Sequence, residues 1–150
     1  MRLKVKPDTR ATDRALTRLR TQLCDLREPL DNASKELTRR VWYRFAFKRD
    51  PDGQRWKPWA KSTAAAAQPG QKLMLSSRRL RDETRFVASK QALWVRFGSV
   101  YGIHHEQGSR KTPRRSFIFS QRGGKRALAP ADEEYLLNAI RYQLRKAASK

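Results

Sequence analysis

The chain has 150 residues, a length that suits one domain able to bury about 70% of the surface that its unfolded form exposes. Its 35 lysines and arginines against 14 acidic residues give a net charge of +21, which favours an acidic or polyanionic partner. The surplus is +7 in each successive third, from 14 basic and 7 acidic residues, then 10 and 3, then 11 and 4. Charge spread this evenly excludes a disordered basic arm at one end.

The sequence predicts a cytoplasmic chain with no membrane partner. No segment approaches the roughly 20 apolar residues of a membrane span, and residues 1–10 lack the apolar run of a signal peptide. The single cysteine, Cys24, lies close to Leu23 and Leu26. We therefore expect it to be a small buried residue in a reducing compartment.

Apolar residues at steps of three and four form one stripe, made of Leu16, Leu19, Leu23, Leu26, Leu30, Ala33 and Leu37. Such spacing predicts helix. Pro29 interrupts the stripe, and a proline inside a helix costs about 3 kcal/mol. Two helices are therefore predicted, over about 12–27 and about 29–47, with one long kinked helix as the alternative. A coiled coil is less favoured because the stripe is short.

The sequence Asp-Pro-Asp-Gly at positions 50–53 predicts a turn after the second helix. It does not begin a calcium-binding loop, because the twelfth position counted from Asp50 is Lys61 and not a glutamate. Residues 54–71 show no period and remain unassigned; the alanine run at 64–67 is compatible with a short helix or with a flexible loop.

The second half of the chain predicts a hairpin, a third strand and a helix. Apolar and polar residues alternate over 84–98 around a turn at 89–91, and residues 115–120 are rich in aromatic and β-branched types. Pro130, followed by acidic residues and later by basic ones, predicts a helix over about 130–147. The prediction is one α+β domain, 1–150, with N-terminal helices at about 12–48, a small antiparallel β-sheet within about 73–120 and a C-terminal amphipathic helix.

The residues that could carry chemistry are few and scattered. His104 and His105 are adjacent, so their side chains point in different directions and cannot share a metal or a scissile bond. Asp82, Glu83 and Glu106 are too few and too scattered to propose a metal-dependent nuclease, which needs several converging carboxylates. No zinc-hydrolase, P-loop or α/β-hydrolase motif is present. We expect no catalytic residue, no metal site and no cofactor.

A basic segment between residues 107 and 131 contains no acidic residue and supplies the predicted contact residues: Arg110, Lys111, Arg114, Arg115, Arg122, Lys125 and Arg126. Seven phosphate contacts would give strongly salt-dependent DNA binding. No helix-turn-helix, RNP strand, zinc finger or GXXG loop accompanies them. A solvated basic loop, or one that docks on an acidic protein surface, is therefore preferred, and nucleic-acid binding is the alternative.

Five segments in order, RDPDGQRWKPWAKST, LSSRRLRDE, YGIHHEQG, TPRRSFIFS and the terminal helix, resemble the tailed-phage virion morphogenesis family, the tail completion proteins of Mu-like and P2-like phages. The resemblance spans roughly 30–146. The matched positions are Asp50, Gly53, Trp56, Pro58, Leu80, Tyr101, His105, Gly108, Pro113, Arg115 and Phe117. The chain departs from the pattern at Arg78, where the family has glycine, and at Glu106 and Gln107, where it has glutamine and an aromatic residue.

The resemblance implies a structural virion protein that completes the phage tail at its head-proximal end and enables head–tail joining. The implied partners are the tail terminator or tube and the neck or head–tail connector proteins, with several copies forming a ring about the tail axis. The chain would be in the host cytoplasm during assembly and in the virion afterwards. The matched residues would shape a fold or an interface, and DNA at the neck is the alternative contact.

Overall fold

The computed structural model describes residues 10–75, 77–110, 112–120 and 127–149, without the side chains of residues 10 and 22. Within that part of the chain the elements are α1 (Arg10–Cys24), α2 (Arg27–Phe47), α3 (Lys61–Ala65), α4 (Arg79–Asp82), β1 (Arg85–Ala88), β2 (Leu93–Arg96), α5 (Gly102–Gln107) and α6 (Pro130–Ala148). The α+β class is confirmed. None of the described helices is long and apolar enough to cross a membrane.

Helices α1 and α2 are separated by a two-residue break, as predicted. Pro29 lies in the first turn of α2, where its missing N–H has no intrahelical partner to lose. The Asp25 carboxylate accepts the N–H of Arg27 at 3.0 Å and so satisfies one of the free donors at this helix start. The break replaces the single kinked helix that the same pattern allowed.

Only the α2 half of the apolar stripe is buried. In α2, Leu37 is fully buried, whereas in α1 Leu16 is 59% and Leu23 is 50% exposed. Cys24 is also exposed, so the expectation of a buried cysteine was wrong. The physical reason is that α1 packs against α6, which covers one flank of the helix and leaves the other in solvent.

The core is built around the C-terminal half of α2. Phe45 is fully buried; its ring meets the Trp56 ring edge-on at 5.2 Å between centroids and the Phe117 ring at 5.0 Å. The Phe97 ring meets the Phe117 ring edge-on at 6.0 Å between centroids. Aromatic pairs in these geometries add to the stability that burial supplies. The core therefore joins α2, the turn region and the segment that follows α5.

The predicted hairpin is confirmed. Strands β1 and β2 are antiparallel, with Phe86 opposite Val95 and Val87 opposite Trp94. The N–H of Phe86 donates to the hydroxyl of Thr38 at 3.1 Å, which fastens the outer edge of β1 to α2. Phe86 is 5% exposed, so one face of the hairpin completes the core.

The predicted third strand is wrong. Residues 115–120 have no strand in the described structure, and a single bridge joins Phe119 to Leu128. Phe117 and Ile118 are fully buried, as the apolar pattern required. Their backbone N–H groups donate to the Glu106 carboxylate and not to a neighbouring strand. β-propensity reports half-buried apolar side chains, but it does not report which partner takes the backbone hydrogen bonds.

The C-terminal helix is confirmed as α6, with Pro130 in its first turn. It packs against both α2 and α1. The Gln143 amide donates to the Glu28 carboxylate at 3.1 Å, while the start of α6 lies near the C-terminal half of α2. Helices α2 and α6 are therefore antiparallel neighbours.

Candidate functional site

The Asp-Pro-Asp-Gly turn after α2 is a closed hydrogen-bonded unit. The N–H of Gly53 donates to the carbonyl oxygen of Asp50 at 3.0 Å, and the N–H of Gln54 donates to the Asp50 carboxylate at 2.7 Å. Gly53 has a φ of 86°, which glycine adopts without steric cost. The hydroxyl of Ser120 donates to the Asp52 carboxylate at 2.8 Å. The turn is thereby tied to the segment that follows α5.

Trp56 and Arg115 fasten the same two regions together. The indole N–H of Trp56 donates to the carbonyl oxygen of Ser116 at 2.8 Å. In return, the Arg115 guanidinium donates to the carbonyl oxygens of Lys57 and Pro58, at 2.8 Å each. Arg115 is 5% exposed, and burial lowers the pKa of its guanidinium. Trp56 and Arg115 are buried, and these bonds give their side-chain N–H groups acceptors in the interior.

The Glu106 carboxylate, near the end of α5, accepts the hydrogen bonds of residues 116–119. One carboxylate oxygen accepts the N–H groups of Phe117 and Ile118, at 2.7 Å each. The other oxygen accepts the hydroxyl of Ser116 at 2.6 Å and the N–H of Phe119 at 3.2 Å. Glu106 is 3% exposed, and burial raises its pKa against the opposing effect of these four hydrogen bonds. The carboxylate therefore takes the place of a neighbouring strand as hydrogen-bond partner.

Asp132 ties the start of α6 to α2. Its carboxylate is 1% exposed. One oxygen accepts a hydrogen bond from the Arg40 guanidinium at 3.0 Å, and the other accepts one from the Arg44 guanidinium. Arg44 also donates to the carbonyl oxygen of Phe117 at 3.0 Å, and the Arg40 guanidinium lies 4.8 Å from the centre of the Tyr135 ring. The buried carboxylate therefore has a guanidinium partner for each of its oxygens, which offsets part of the cost of its burial.

The end of α5 is set by Gly108. Its φ is 74°, and a Cβ atom there would lie 3.0–3.2 Å from three atoms of Arg114, so both the backbone angle and the space favour glycine. The imidazole of His105 is partly buried, and its Nδ1 has no hydrogen-bond partner among the described residues. Burial, together with the charges of Arg115 and His104, lowers the pKa of His105.

The structure brings most of the motif positions to one place. The turn, the Trp56–Pro58 stretch, the end of α5 and the segment 112–120 are joined directly by the bonds above. Leu80 is buried in the core without taking part in these bonds, and Tyr101 is 67% exposed. Among the described residues no group of three His, Cys, Asp or Glu side chains could hold a metal ion.

The predicted basic contact residues do not form one exposed set. Arg110 is exposed, and Arg114 is half-buried and donates to the carbonyl oxygen of Ser120 at 3.1 Å. For Arg115 the structure corrects the contact prediction, because its guanidinium is buried against the 57–58 carbonyls. The other four, Lys111, Arg122, Lys125 and Arg126, lie outside the described residues.

Sequence reasoning missed the two buried carboxylates that hold this region together. A usable signal for Glu106 was that it is the only acidic residue between Glu83 and Asp132, in a stretch rich in basic residues. For Asp132 the signal was weaker, because an acidic residue in a first helical turn is already explained by the helix dipole.

Residues 7–145 match the model of the phage virion morphogenesis family. The chain belongs to the phage virion morphogenesis family. Its members take part in virion assembly, and membership points to a structural protein of the virion and not to an enzyme. No curated protein and no solved structure matches the chain. The family match includes every motif position named above.

One departure of this family member from the expected pattern has a structural counterpart. Arg78 has a φ of 58° and precedes α4. That angle lies in the left-handed region, where a side chain costs about 1–2 kcal/mol and glycine costs little. The backbone therefore keeps the conformation that the expected glycine would favour, although the residue is arginine.

Proposed function

We propose that this phage virion morphogenesis protein completes the tail at its head-proximal end and so enables head and tail to join. The observation that carries the proposal is the family match over residues 7–145, which the order of motifs in the sequence supports. The buried hydrogen-bonded network around Glu106 favours binding over catalysis, because its carboxylate oxygens already accept hydrogen bonds from the protein's own backbone and from Ser116.

The proposed partners are the tail terminator or tube and the neck or head–tail connector proteins, with several copies forming a ring about the tail axis. A net charge of +21 favours docking on acidic faces of such neighbours. Arg110 is exposed just beyond α5, and Glu106 and Asp52 hold residues 116–120, further along the same segment, at two points. A contact residue on a preorganised base loses less conformational entropy on binding.

Electron cryomicroscopy tests the proposed position. Particles from a host that expresses the tail gene cluster with and without this gene are compared. We expect density at the head-proximal end of the tail only when the gene is present. Equal density in both samples would refute the position.

A pair of double variants tests the contact role of the basic segment. Arg110→Ser with Lys111→Ser removes two charges there, and Arg18→Ser with Arg20→Ser removes two from exposed positions of α1. We expect the first pair to lower the yield of joined particles and to weaken its dependence on salt, and the second pair to leave both unchanged. Equal effects of the two pairs would show that only total charge matters.

DNA at the neck is the second candidate, favoured by the charge of +21. It requires that the logarithm of the binding constant falls with the logarithm of salt concentration with a slope of about −0.9 for each phosphate contacted on duplex DNA. A slope equivalent to several phosphates, reduced by about two phosphates in the Arg110 and Lys111 variant, would favour this function.

A further inference from the structure

The outer face of the β1–β2 hairpin carries two arginines, a valine and a tryptophan side by side. The register places Arg85 opposite Arg96 and Val87 opposite Trp94. Because side chains alternate along a strand, these four lie on the face opposite to the one that Phe86 buries in the core. All four are exposed, Trp94 to 64% and Val87 to 43%. We call Arg85, Val87, Trp94 and Arg96 the hairpin face.

The two arginines of the hairpin face weaken the hairpin that carries them. Like charges directly opposite each other on neighbouring strands are destabilising. Within the described residues neither guanidinium forms an ion pair. The carboxylates closest to Arg85 in the sequence, those of Asp82 and Glu83, pair with Arg81 and Arg79 respectively. Residues 84–98 contain no acidic residue. The described structure offers no carboxylate that offsets the repulsion between Arg85 and Arg96. A negatively charged partner would offset it.

The apolar half of the hairpin face is of the kind that anchors protein interfaces. Tryptophan and arginine are enriched among the residues that dominate binding energy, usually with an apolar centre and a polar rim. Here the Trp94–Val87 pair supplies the centre, and Arg85 and Arg96 lie beside it. Surfaces that bind single-stranded nucleic acid use a series of stacking aromatics along a basic groove, and the hairpin face has one aromatic residue.

We propose that the hairpin face is a docking surface for an acidic protein surface of the phage particle. Trp94 enters an apolar patch on the partner, and Arg85 and Arg96, which lie together next to the Val87–Trp94 pair, meet carboxylates beside that patch. The identification of the partner as a protein of the particle rests on the proposed function. The docking surface itself rests on the register, the exposure and the unpaired charges of the hairpin.

The substitution Arg85→Glu separates docking from folding. It places a glutamate opposite Arg96, and opposite charges across a strand pair are stabilising. The variant therefore keeps or raises the melting temperature of the protein while it reverses one of the two charges that the partner needs. Trp94→Ser removes the apolar anchor. The matched controls on α6 are Arg145→Glu and Tyr142→Ser, which change an exposed arginine and an aromatic residue that is 69% exposed.

The assay measures binding of the purified protein to tails that were assembled in a host lacking this gene. We expect Arg85→Glu and Trp94→Ser to weaken binding at least about tenfold, with both controls within about twofold of the original protein. Retained binding by the two hairpin variants, while the original protein binds, would overturn the hairpin proposal alone. Failure of the original protein to bind such tails would overturn the proposed function as well.

A single-stranded DNA of 20 nucleotides serves as the competing probe. We expect the hairpin variants and their controls to affect its binding equally, through charge alone. If the hairpin variants selectively weaken DNA binding and leave tail binding intact, the hairpin face binds nucleic acid and the proposal is wrong.

Discussion

The substitution Glu106→Gln tests whether one buried carboxylate holds the segment after α5. The amide has nearly the same shape as the carboxylate, so the change isolates hydrogen bonding from packing. The amide oxygen can still accept the N–H groups of Phe117 and Ile118, because both donate to the same carboxylate oxygen in the structure. Its NH₂ group then replaces the oxygen that accepts the Phe119 N–H and the Ser116 hydroxyl.

The size of the effect follows from these partners. The Ser116 hydroxyl has a second acceptor, the carbonyl oxygen of Phe119, so it does not become unsatisfied. The N–H of Phe119 loses its acceptor and faces another donor, and one unsatisfied donor beside a lost charged hydrogen bond costs about 1–3 kcal/mol. Glu106→Ala leaves three backbone donors without an acceptor and, at about 1–3 kcal/mol for each donor, should cost at least about 3 kcal/mol. That is a large part of the roughly 5–15 kcal/mol by which domains are stable.

Urea denaturation followed by tryptophan fluorescence measures the free energy of unfolding of each variant. The control is Glu134→Gln, an exposed glutamate on α6, which should change the free energy by less than about 0.5 kcal/mol. We expect the loss in free energy of unfolding to be smallest for the control, larger for Glu106→Gln and largest for Glu106→Ala. A folded Glu106→Gln variant with the stability of the control would refute the role of this carboxylate.

Three further substitutions test other parts of the account. Arg78→Gly should raise the free energy of unfolding by about 0.5–1 kcal/mol, because Arg78 has a φ of 58°; a loss of stability in thermal melting would contradict this. Asp132→Asn should cost about 3 kcal/mol in urea denaturation, because Arg40 and Arg44 lose their buried carboxylate, whereas a near-neutral effect would mean that the guanidinium groups find other acceptors. Burial lowers the pKa of His105, so the neutral form is favoured in the folded state; this contribution is complete above the ordinary pKa of about 6.5 and is lost as the pH falls below it. His105→Gln should therefore reduce the fall in melting temperature between pH 7 and pH 5, and an unchanged fall would exclude His105 as its source.

The elements that the sequence predicted correctly are those whose apolar residues are also the buried ones in the structure. Helix α2, the hairpin and α6 followed from spacing, turn residues and charge placement, because one face of each packs against the rest of the domain. The same spacing over α1 indicated an apolar face but not whether another element covers it, so Leu16 and Leu23 are exposed although they belong to the stripe, and Cys24 was wrongly expected to be buried. The short helices α3, α4 and α5 have too few turns to show a period.

The candidate site was predictable at the level of motifs and not at the level of bonds. Glu106 binds backbone N–H groups, and backbone groups have no identity in the sequence that could reveal them as partners. The count of basic residues near Arg115 indicated a contact surface, but a count does not show where a guanidinium points. Its buried position depends on the 57–58 carbonyls, which are brought to it by the turn and by Trp56.

A joining assay in solution tests the central claim most directly. Heads and tails from a host lacking this gene are mixed with the purified protein, and joined particles are counted by electron microscopy with infectious titre as a second readout. We predict that joined, infectious particles accumulate only when the protein is added, and that tails treated with it first join more efficiently than heads treated with it first. Normal joining without the protein would contradict the proposed function.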